Sequence, residues 1–321
     1  MVIEMIDNVV FGIDLGGTTV KIGVFTGEGT LLENWEIPTR INDKGTHILP
    51  DIADSIKAKI AEKKLSKESI VGAGIGVPGP VDAQGNILGA INLGWGTFNI
   101  ESTLEALLDM PVNAANDANV AALGEMWKGG GMGYTDIVAV TLGTGVGGGI
   151  IINGEVLAGA TGAGGEIGHI HVQDGEESVC GCGNCGCLEQ YASATGIVTL
   201  ALRRLAKDDT DSILREGEVT AKHVWDAVKK DDIVAKEIAT EFGDYLGKGL
   251  ASIAAVVNPQ AFVIGGGVSK AGEILFDYIE PVYQKYVFKG CRNAKFMLAE
   301  LGNDAGIYGA AKLVLHEEEE N

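Results

Sequence analysis

The chain has 321 residues, more than one hydrophobic core ordinarily fills, and 46% of them are hydrophobic against 21% charged, which excludes a small disulfide-stapled module and a largely disordered chain. With 24 lysines and arginines against 44 aspartates and glutamates the formal charge is −20, a field that repels nucleic acid and anionic membrane from most of the surface. The first ten residues place acids where a secretory signal would place lysines, and the uncharged stretch between Lys248 and Lys270 is broken by Asn258, Pro259 and Gln260. A cytoplasmic protein without a membrane span is expected. Glycine, at 48 residues, is over-represented and serves close backbone approach.

Residues 9–14 are apolar and β-branched, Leu15-Gly16-Gly17-Thr18-Thr19 turns the chain, and 20–25 continues as a strand, giving a glycine-cornered hairpin. A third strand follows over 31–37. Ile48, Ile52, Ile56 and Ile60, with Leu49 and Ala53, recur at helical spacing. A strand over 71–77 ends in Pro78-Gly79-Pro80. A helix around 104–108, a short strand from Val112 and a helix over 118–127 complete a β-β-β-α-β-α-β-α half. The second half restarts after the glycine-rich loop 129–133 with a strand over 137–142, the turn Gly143-Thr144-Gly145-Val146-Gly147-Gly148-Gly149 and a strand over 150–152. Setting Leu142-Gly143 on Leu15-Gly16 aligns the two hairpins, and Phe262-Val263-Ile264 before Gly265-Gly266-Gly267 repeats the plan of 71–79. Two copies of one β-meander-plus-α unit are expected to face each other across a ligand cleft. They correspond to a small domain of 1–122 plus 305–321 and a large domain of 123–304. The last helix, 305–315, precedes His316 and four glutamates, a tail expected to be solvated.

Asp14-Leu15-Gly16-Gly17-Thr18-Thr19-Val20-Lys21 has the composition of half a phosphate clamp. Adjacent glycines let backbone N–H groups approach an anion, threonines add hydroxyl donors, and an aspartate at a strand end can hold a hydrated divalent cation. An ordinary turn uses the same residues. Gly143-Thr144-Gly145, however, offers equivalent donors in the other half, and two opposed loops can hold one polyphosphate. Gly265-Gly266-Gly267, before a helix expected from about Ala271, leaves room for a flat base or ribose. Gly74-x-Gly76-x-x-Gly79 and Gly143-x-Gly145-x-x-Gly148 do not open helices, and no Gly-x-x-x-x-Gly-Lys-Ser/Thr occurs. A Rossmann dinucleotide site and a P-loop are thereby excluded. Asp117, in Asn116-Asp117-Ala118-Asn119, stands at a strand-to-helix junction, where it serves either as N-cap or as the carboxylate that takes a proton from an attacking hydroxyl. Cys180, Cys182, Cys185 and Cys187 crowd into one glycine-rich loop that follows Glu166-Ile167-Gly168-His169. Such sulfurs converge on a tetrahedral structural zinc, with His169, Cys180, Cys182 and Cys187 as the chosen ligands and a four-cysteine site left open. Cys291 is expected in the core.

In this order, Asp14-Leu15-Gly16-Gly17-Thr18, Asn116-Asp117, Glu166-x-Gly168-His169 and Cys180-x-Cys182-Gly183-x-x-Gly186-Cys187-x-Glu189 closely resemble the ROK family of sugar kinases and repressors, and within it the bacterial glucokinases. The resemblance covers essentially the whole chain. It implies a ribonuclease-H-like α/β fold of the actin and hexokinase type, duplicated into two domains. It also implies ATP with Mg²⁺ as phosphoryl donor, the 6-hydroxyl of glucose or a related hexose as acceptor, and a homodimer or homotetramer. Asp117 then looks like the catalytic base, and Gly79, Asn116, Glu166, His169 and Glu189 like sugar contacts, with His169 giving one ring nitrogen to zinc and the other to sugar. Gly16, Gly17, Thr18, Thr19, Lys21, Thr144, Gly145, Gly265, Gly266 and Gly267 fall to the nucleotide, with Asp14 near Mg²⁺. Kinases for fructose, N-acetylmannosamine or N-acetylglucosamine share these motifs. Family repressors carry a helix-turn-helix before the Asp-x-Gly-Gly-Thr strand, and only 13 residues precede Asp14, which disfavours a regulator. A filament protein of the actin type would keep the nucleotide pocket without the sugar motif. Loss of zinc is expected to displace the sugar contacts while ATP still binds.

Overall fold

The computed structural model describes residues 8–315, so the acidic tail lies outside the described residues. Strands β1 (Val9–Leu15), β2 (Thr19–Thr26) and β3 (Leu31–Pro38) form an antiparallel meander. Helix α1 (Ile48–Lys63) leads to β4 (Ile70–Val77), parallel to β1, and the short pair β5 (Asn86–Ile87) and β6 (Phe98–Asn99) precedes α2 (Ile100–Leu108). Strand β7 (Val112–Asn116) then lies parallel to β4 and runs straight into α3 (Asp117–Lys128). The sheet order is β3-β2-β1-β4-β7.

The second half begins with β8 (Ile137–Leu142), β9 (Val146–Ile152) and β10 (Glu155–Val156). An excursion through α4 (Glu189–Ala192), α5 (Ala194–Leu205), α6 (Ala221–Val228) and α7 (Ile233–Val257) follows. Asn258 ends α7 in the left-handed conformation, and β11 (Ala261–Gly265) pairs parallel with β8. Helix α8 (Phe276–Tyr286), strand β12 (Lys295–Leu298) and helix α9 (Ala305–Leu313) complete the chain. The second sheet, β10-β9-β8-β11-β12, repeats the first position for position, a meander followed by two parallel strands. The duplication foreseen from the two glycine hairpins is therefore present in the topology. The helix expected from Ala271 starts later: Gly272, at φ 89°, interrupts two short 3₁₀ turns, and α8 begins only at Phe276.

By internal contacts the chain divides into two compact units, one of Met1–Gly133, Gly149–Gly165 and Asn303–Asn321, the other of Tyr134–Gly148 and Glu166–Gly302. Helix α3 stays whole in the first unit, because it runs unbroken past residue 122 to Lys128 and its Ala122 packs where a side chain on Gly149 would stand.

Alternation along β1 explains how the first unit is layered. Val9, Phe11, Ile13 and Leu15 point into a core shared with Ile48, Ile52 and Ile56 of α1 and with Ile100 and Leu104 of α2. Val10 points the other way, into a smaller cluster with Ile307 and Ala311 of α9. Gly12 shares that second face, and a Cβ there would overlap the backbone oxygen of Ile307. One on Gly74 of β4 would overlap that of Ala310, and one on Gly309 that of Val120 in α3. Helix α9 thus lies backbone against backbone on the sheet and on α3, an approach only glycine permits. Gly74→Ala is expected to cost at least about 3 kcal/mol, because neither partner is a side chain that can move aside. Gly96→Ala, where a Cβ meets nothing within 4 Å, should stay within about 0.5 kcal/mol of wild type. Urea unfolding of the two variants checks the difference, and equal stabilities would refute the packing argument.

Candidate active site

In the first unit the parallel register aligns Asp14 with Gly76, Gly76 with Ala115 and Val77 with Asn116. Asp14 and the Asn116-Asp117 pair therefore gather at one edge, beyond the carboxyl ends of β1, β4 and β7, where open α/β sheets bind ligands. The Asp14 side chain lies on the α9 face, and a Cβ on Gly306 would come within 2.5 Å of its Cγ. Burial there, and then the negative charge of Asp117, raise its carboxyl to about 6, with Lys21 opposing. Lys21 sits across the β1–β2 pair from Asp14, and its Nζ lies 2.9 Å from Asp304 Oδ1 and donates to Asn303 O at 3.2 Å. It tethers the start of α9.

The turn between β1 and β2 is pinned by Gly16 N–H on Thr19 O (3.0 Å), Thr39 N–H on Thr18 O (2.9 Å) and Thr39 Oγ1 on Gly16 O (2.7 Å), while Gly17 and Thr18 stay exposed. Asn92, which no sequence signal singled out, brings its amide to 3.8 Å from where a Cβ on Gly17 would be. Of the pair at the start of α3, Asn116 is the N-cap. Its Oδ1 accepts from Ala118 N (3.0 Å) and Asn119 N (3.4 Å), and its Nδ2 donates to Gly79 O at 3.3 Å. This corrects the assignment of the cap to Asp117, because β7 ends one residue earlier than that assignment requires. Asp117 is the first helical residue, where the helix dipole favours its negative charge.

In the second unit the turn after β8 is backed by residues 189–195. Val146 N–H donates to Glu189 Oε2 at 3.0 Å, Ala194 N–H to Gly143 O at 2.8 Å, and Thr195 Oγ1 to Thr144 O at 3.0 Å. Gly145 faces the same carboxylate so closely that a Cβ would overlap Glu189 Oε2. Beside the glycine turn after β11 lies a cavity of about 370 Å³, lined among others by Ala194, Thr220, Trp225, Lys229, Gly267 and Val268. The α6 contribution to this cavity is what sequence reasoning missed. The indole N–H of Trp225 is buried without a partner among the described residues.

The ligand atoms of His169, Cys180, Cys182 and Cys187 all lie within 4.8 Å of one another. Cys182 Sγ is 3.6 Å from Cys187 Sγ, and Cys180 Sγ is 3.7 Å from His169 Nδ1. A tetrahedron with Zn–S near 2.3 Å and Zn–N near 2.0–2.1 Å requires S–S and S–N separations of roughly 3.5–3.8 Å, so one zinc fits. Cys185 stands outside this group. Burial first, then hydrogen bonds from the neighbouring cysteines, push the Cys187 thiol up to about 12, so a bound cation is what would draw off its proton. The other ring nitrogen of His169, Nε2, lies 3.9 Å from Glu166 Oε2, which leaves the ring between the metal position and that carboxylate. Cys291 is buried as expected, its thiol on Ala254 O. No helix among the described residues is long and apolar enough to cross a membrane.

Two sheets of one duplicated plan, each with a glycine turn after its first strand and the first with carboxylates beyond its strand ends, define a protein of the actin and hexokinase fold class. The ROK family model matches residues 10–317, and the chain belongs to that family. It is 41% identical over 320 residues to the glucokinase of Halalkalibacterium halodurans, covering 98% of this chain and 97% of that protein. The ROK family glucokinase of Streptomyces griseus, solved with glucose and AMPPNP, matches with a TM-score of 0.70 at 35% identity over 95% of this chain and 99% of that one. The ROK hexokinase of Thermus thermophilus matches with a TM-score of 0.77 at 32% identity over 95% and 97%.

Two measurements bear on the site. Metal analysis should find about one zinc per chain in wild type and in Cys185→Ala, and none in Cys182→Ala. Zinc lost from Cys185→Ala but kept in His169→Ala would overturn the ligand set. Asp14 is raised in the folded chain, so the fold disfavours its ionised form. The stability gained by its protonation is fully present below the ordinary value of 3.8 and is lost as pH rises through about 6. In magnesium-free buffer Asp14→Asn should therefore unfold about 1–3 kcal/mol later than wild type at pH 8, with the gap closing near pH 4. A pH-independent gap in urea titrations would contradict the burial argument.

Proposed function

We propose that the chain transfers the γ-phosphoryl group of ATP to the 6-hydroxyl of glucose. The observation that carries this most directly is the division of labour at the start of α3. Asn116 is the N-cap, and Asp117, whose Oδ1 also accepts from Ala118 N at 2.8 Å, stands at the same sheet edge as Asp14. Asp117 accepts the proton of the sugar hydroxyl as it attacks phosphorus in line. Asp14, ionised above about pH 6, holds hydrated Mg²⁺, and that ion, when bound, offsets charge on the β- and γ-phosphates. Backbone and hydroxyl donors of Gly17, Thr18, Thr19, Thr144 and Gly145 receive the phosphates, and Gly16, whose N–H is held by Thr19 O, shapes the turn that presents them. The cavity beside Gly265, Gly266 and Gly267 takes the adenosine. Lys21, engaged with Asp304, serves the nucleotide through Asp14, whose carboxyl it helps keep charged. Gly79, Asn116, Glu166, His169 and Glu189 receive sugar hydroxyls, and the zinc is structural, fixing the loop that carries Glu166, His169 and Glu189.

Glucose is preferred over fructose and the N-acetylated hexosamines because the relative at 41% identity is a glucokinase and the Streptomyces griseus neighbour was solved with glucose. A coupled assay across these hexoses should give glucose the highest kcat/KM, and an N-acetylhexosamine in first place would sink the assignment. The enzyme is read as a cytoplasmic homodimer or homotetramer, which light scattering on the purified protein decides. Asp117→Asn should lower kcat by at least about 100-fold with glucose affinity changed less than about threefold, and its unfolding midpoint should stay near wild type because Asn116 is the N-cap and an amide oxygen at 117 can still accept from Ala118 N–H. Full turnover in this variant would show that the base is another group.

A further inference from the structure

Glu189 is assigned above to a sugar hydroxyl, yet its nearest partner is a different part of the molecule. Oε2 accepts from Val146 N–H at 3.0 Å, inside the turn read as a phosphate site, and Gly145 lacks a side chain at the point where a Cβ would strike that same oxygen. Oε1 lies 3.6 Å from Cys180 Sγ, within reach of a thiol proton. Cys187, a metal ligand, stands two residues before Glu189, and the buried Leu188 links them into the start of α4. One short segment thus joins the Cys₃His group to the glycine turn, and Ala194 and Thr195 reinforce the joint at Gly143 and Thr144.

We propose that Glu189 is the positioning residue of this glycine turn, and that the Cys₃His centre, by fixing the start of α4, sets how tightly the turn holds the nucleotide's phosphates. The carboxylate aligns the turn by holding the N–H of Val146, so that the preceding amides and the Thr144 hydroxyl stand ready for an anion. A loop ordered before the ligand arrives spares the cost of ordering it on binding. Oε2 is taken by Val146 N–H, while Oε1 makes the longer, weaker contact to Cys180 Sγ at 3.6 Å. A single carboxylate can therefore touch sugar with one oxygen and align the phosphate turn with the other. The expectation that zinc loss would spare ATP binding changes accordingly: nucleotide affinity should fall with the metal.

This inference rests on reading the turn as a phosphate site, and the test separates the two. Calorimetry with a non-hydrolysable ATP analogue and Mg²⁺, without sugar, is run on wild type, Glu189→Ala, Glu189→Gln, Gly145→Ala and the double variant Gly145→Ala/Glu189→Ala, with zinc content and thermal unfolding measured on each. Glu189→Ala should keep about one zinc and bind the analogue roughly tenfold more weakly, the size expected for loss of a charge-assisted hydrogen bond. Glu189→Gln, which retains an acceptor for Val146 N–H, should recover most of that loss. Gly145→Ala should match Glu189→Ala, since its methyl displaces the same carboxylate, and the double variant should be no worse than either. Chelation should weaken analogue binding in wild type and not further in Glu189→Ala. Wild-type affinity in a folded, zinc-loaded Glu189→Ala, or additive losses in the double variant, would refute the positioning role. An analogue that binds wild type and Gly145→Val equally well would instead remove the turn from the phosphate site.

Discussion

Most of the first unit follows from one contact, the backbone of α9 against the backbones of β1 and β4. Because Gly12 and Gly74 carry no side chain, the helix settles directly on the sheet, and the same lack of bulk at Gly124 and Gly309 brings α3 against α9. The start of α9 then covers Asp14, which raises its carboxyl, and Asp304 at that start receives Lys21. The start of α3 carries Asp117, whose charge adds to the same effect. Both carboxylates are placed by a packing decision made in the glycines of the sheet. A slightly thicker interface would move the helices outward and leave Asp14 in water, with an ordinary acid's affinity for protons.

The second unit reaches a comparable result by different means. Its glycine turn is shaped from behind by Glu189, Ala194 and Thr195, all of which follow the metal group in the chain. The segment from Glu166 to Glu189 contains little regular secondary structure and is fixed by the Cys₃His group and by a network in which Tyr191 donates to Glu176 and stacks on Tyr245 at 4.1 Å. Arg203 also reaches Glu176, and the hydrogen bond from Tyr191 is the main reason that carboxyl lies near 2. Cross-linking of this kind does for a polar loop what apolar burial does for a sheet.

What could be read in advance from the residues was what local chemistry dictates. Runs such as 9–15 and 261–265, short, β-branched and almost wholly apolar, read as buried strands, and the paired glycine hairpins announce the duplication. The cysteine spacing likewise announces a metal. Choices between equally competent neighbours were not legible. Asn116 and Asp117 both cap helices well, and only the end of β7 decides between them. The start of α8 turned on Gly272, a single residue at positive φ within an otherwise plausible helix. Lys21 is legible as part of the phosphate clamp, but its partner Asp304, 283 residues away, has no local signature. The contribution of α6 to the cavity beside Gly267 has no sequence signal, since nothing local relates residues so far apart.

The first unit is assembled from three stretches of chain, and the piece that closes its core is the one made last among them. During synthesis β1 and β4 emerge early, and their glycine face stays uncovered until residues 305–313 have been made. The face that pairs with α1 and α2 is satisfied within the first hundred or so residues, so the nascent sheet is half dressed for most of translation. Contacts of such sequence separation form slowly once the chain is released, because the loop they close is nearly the whole protein. The bare stripe exposes glycine backbone more than hydrocarbon, and this limits how strongly the waiting intermediate can stick to its neighbours.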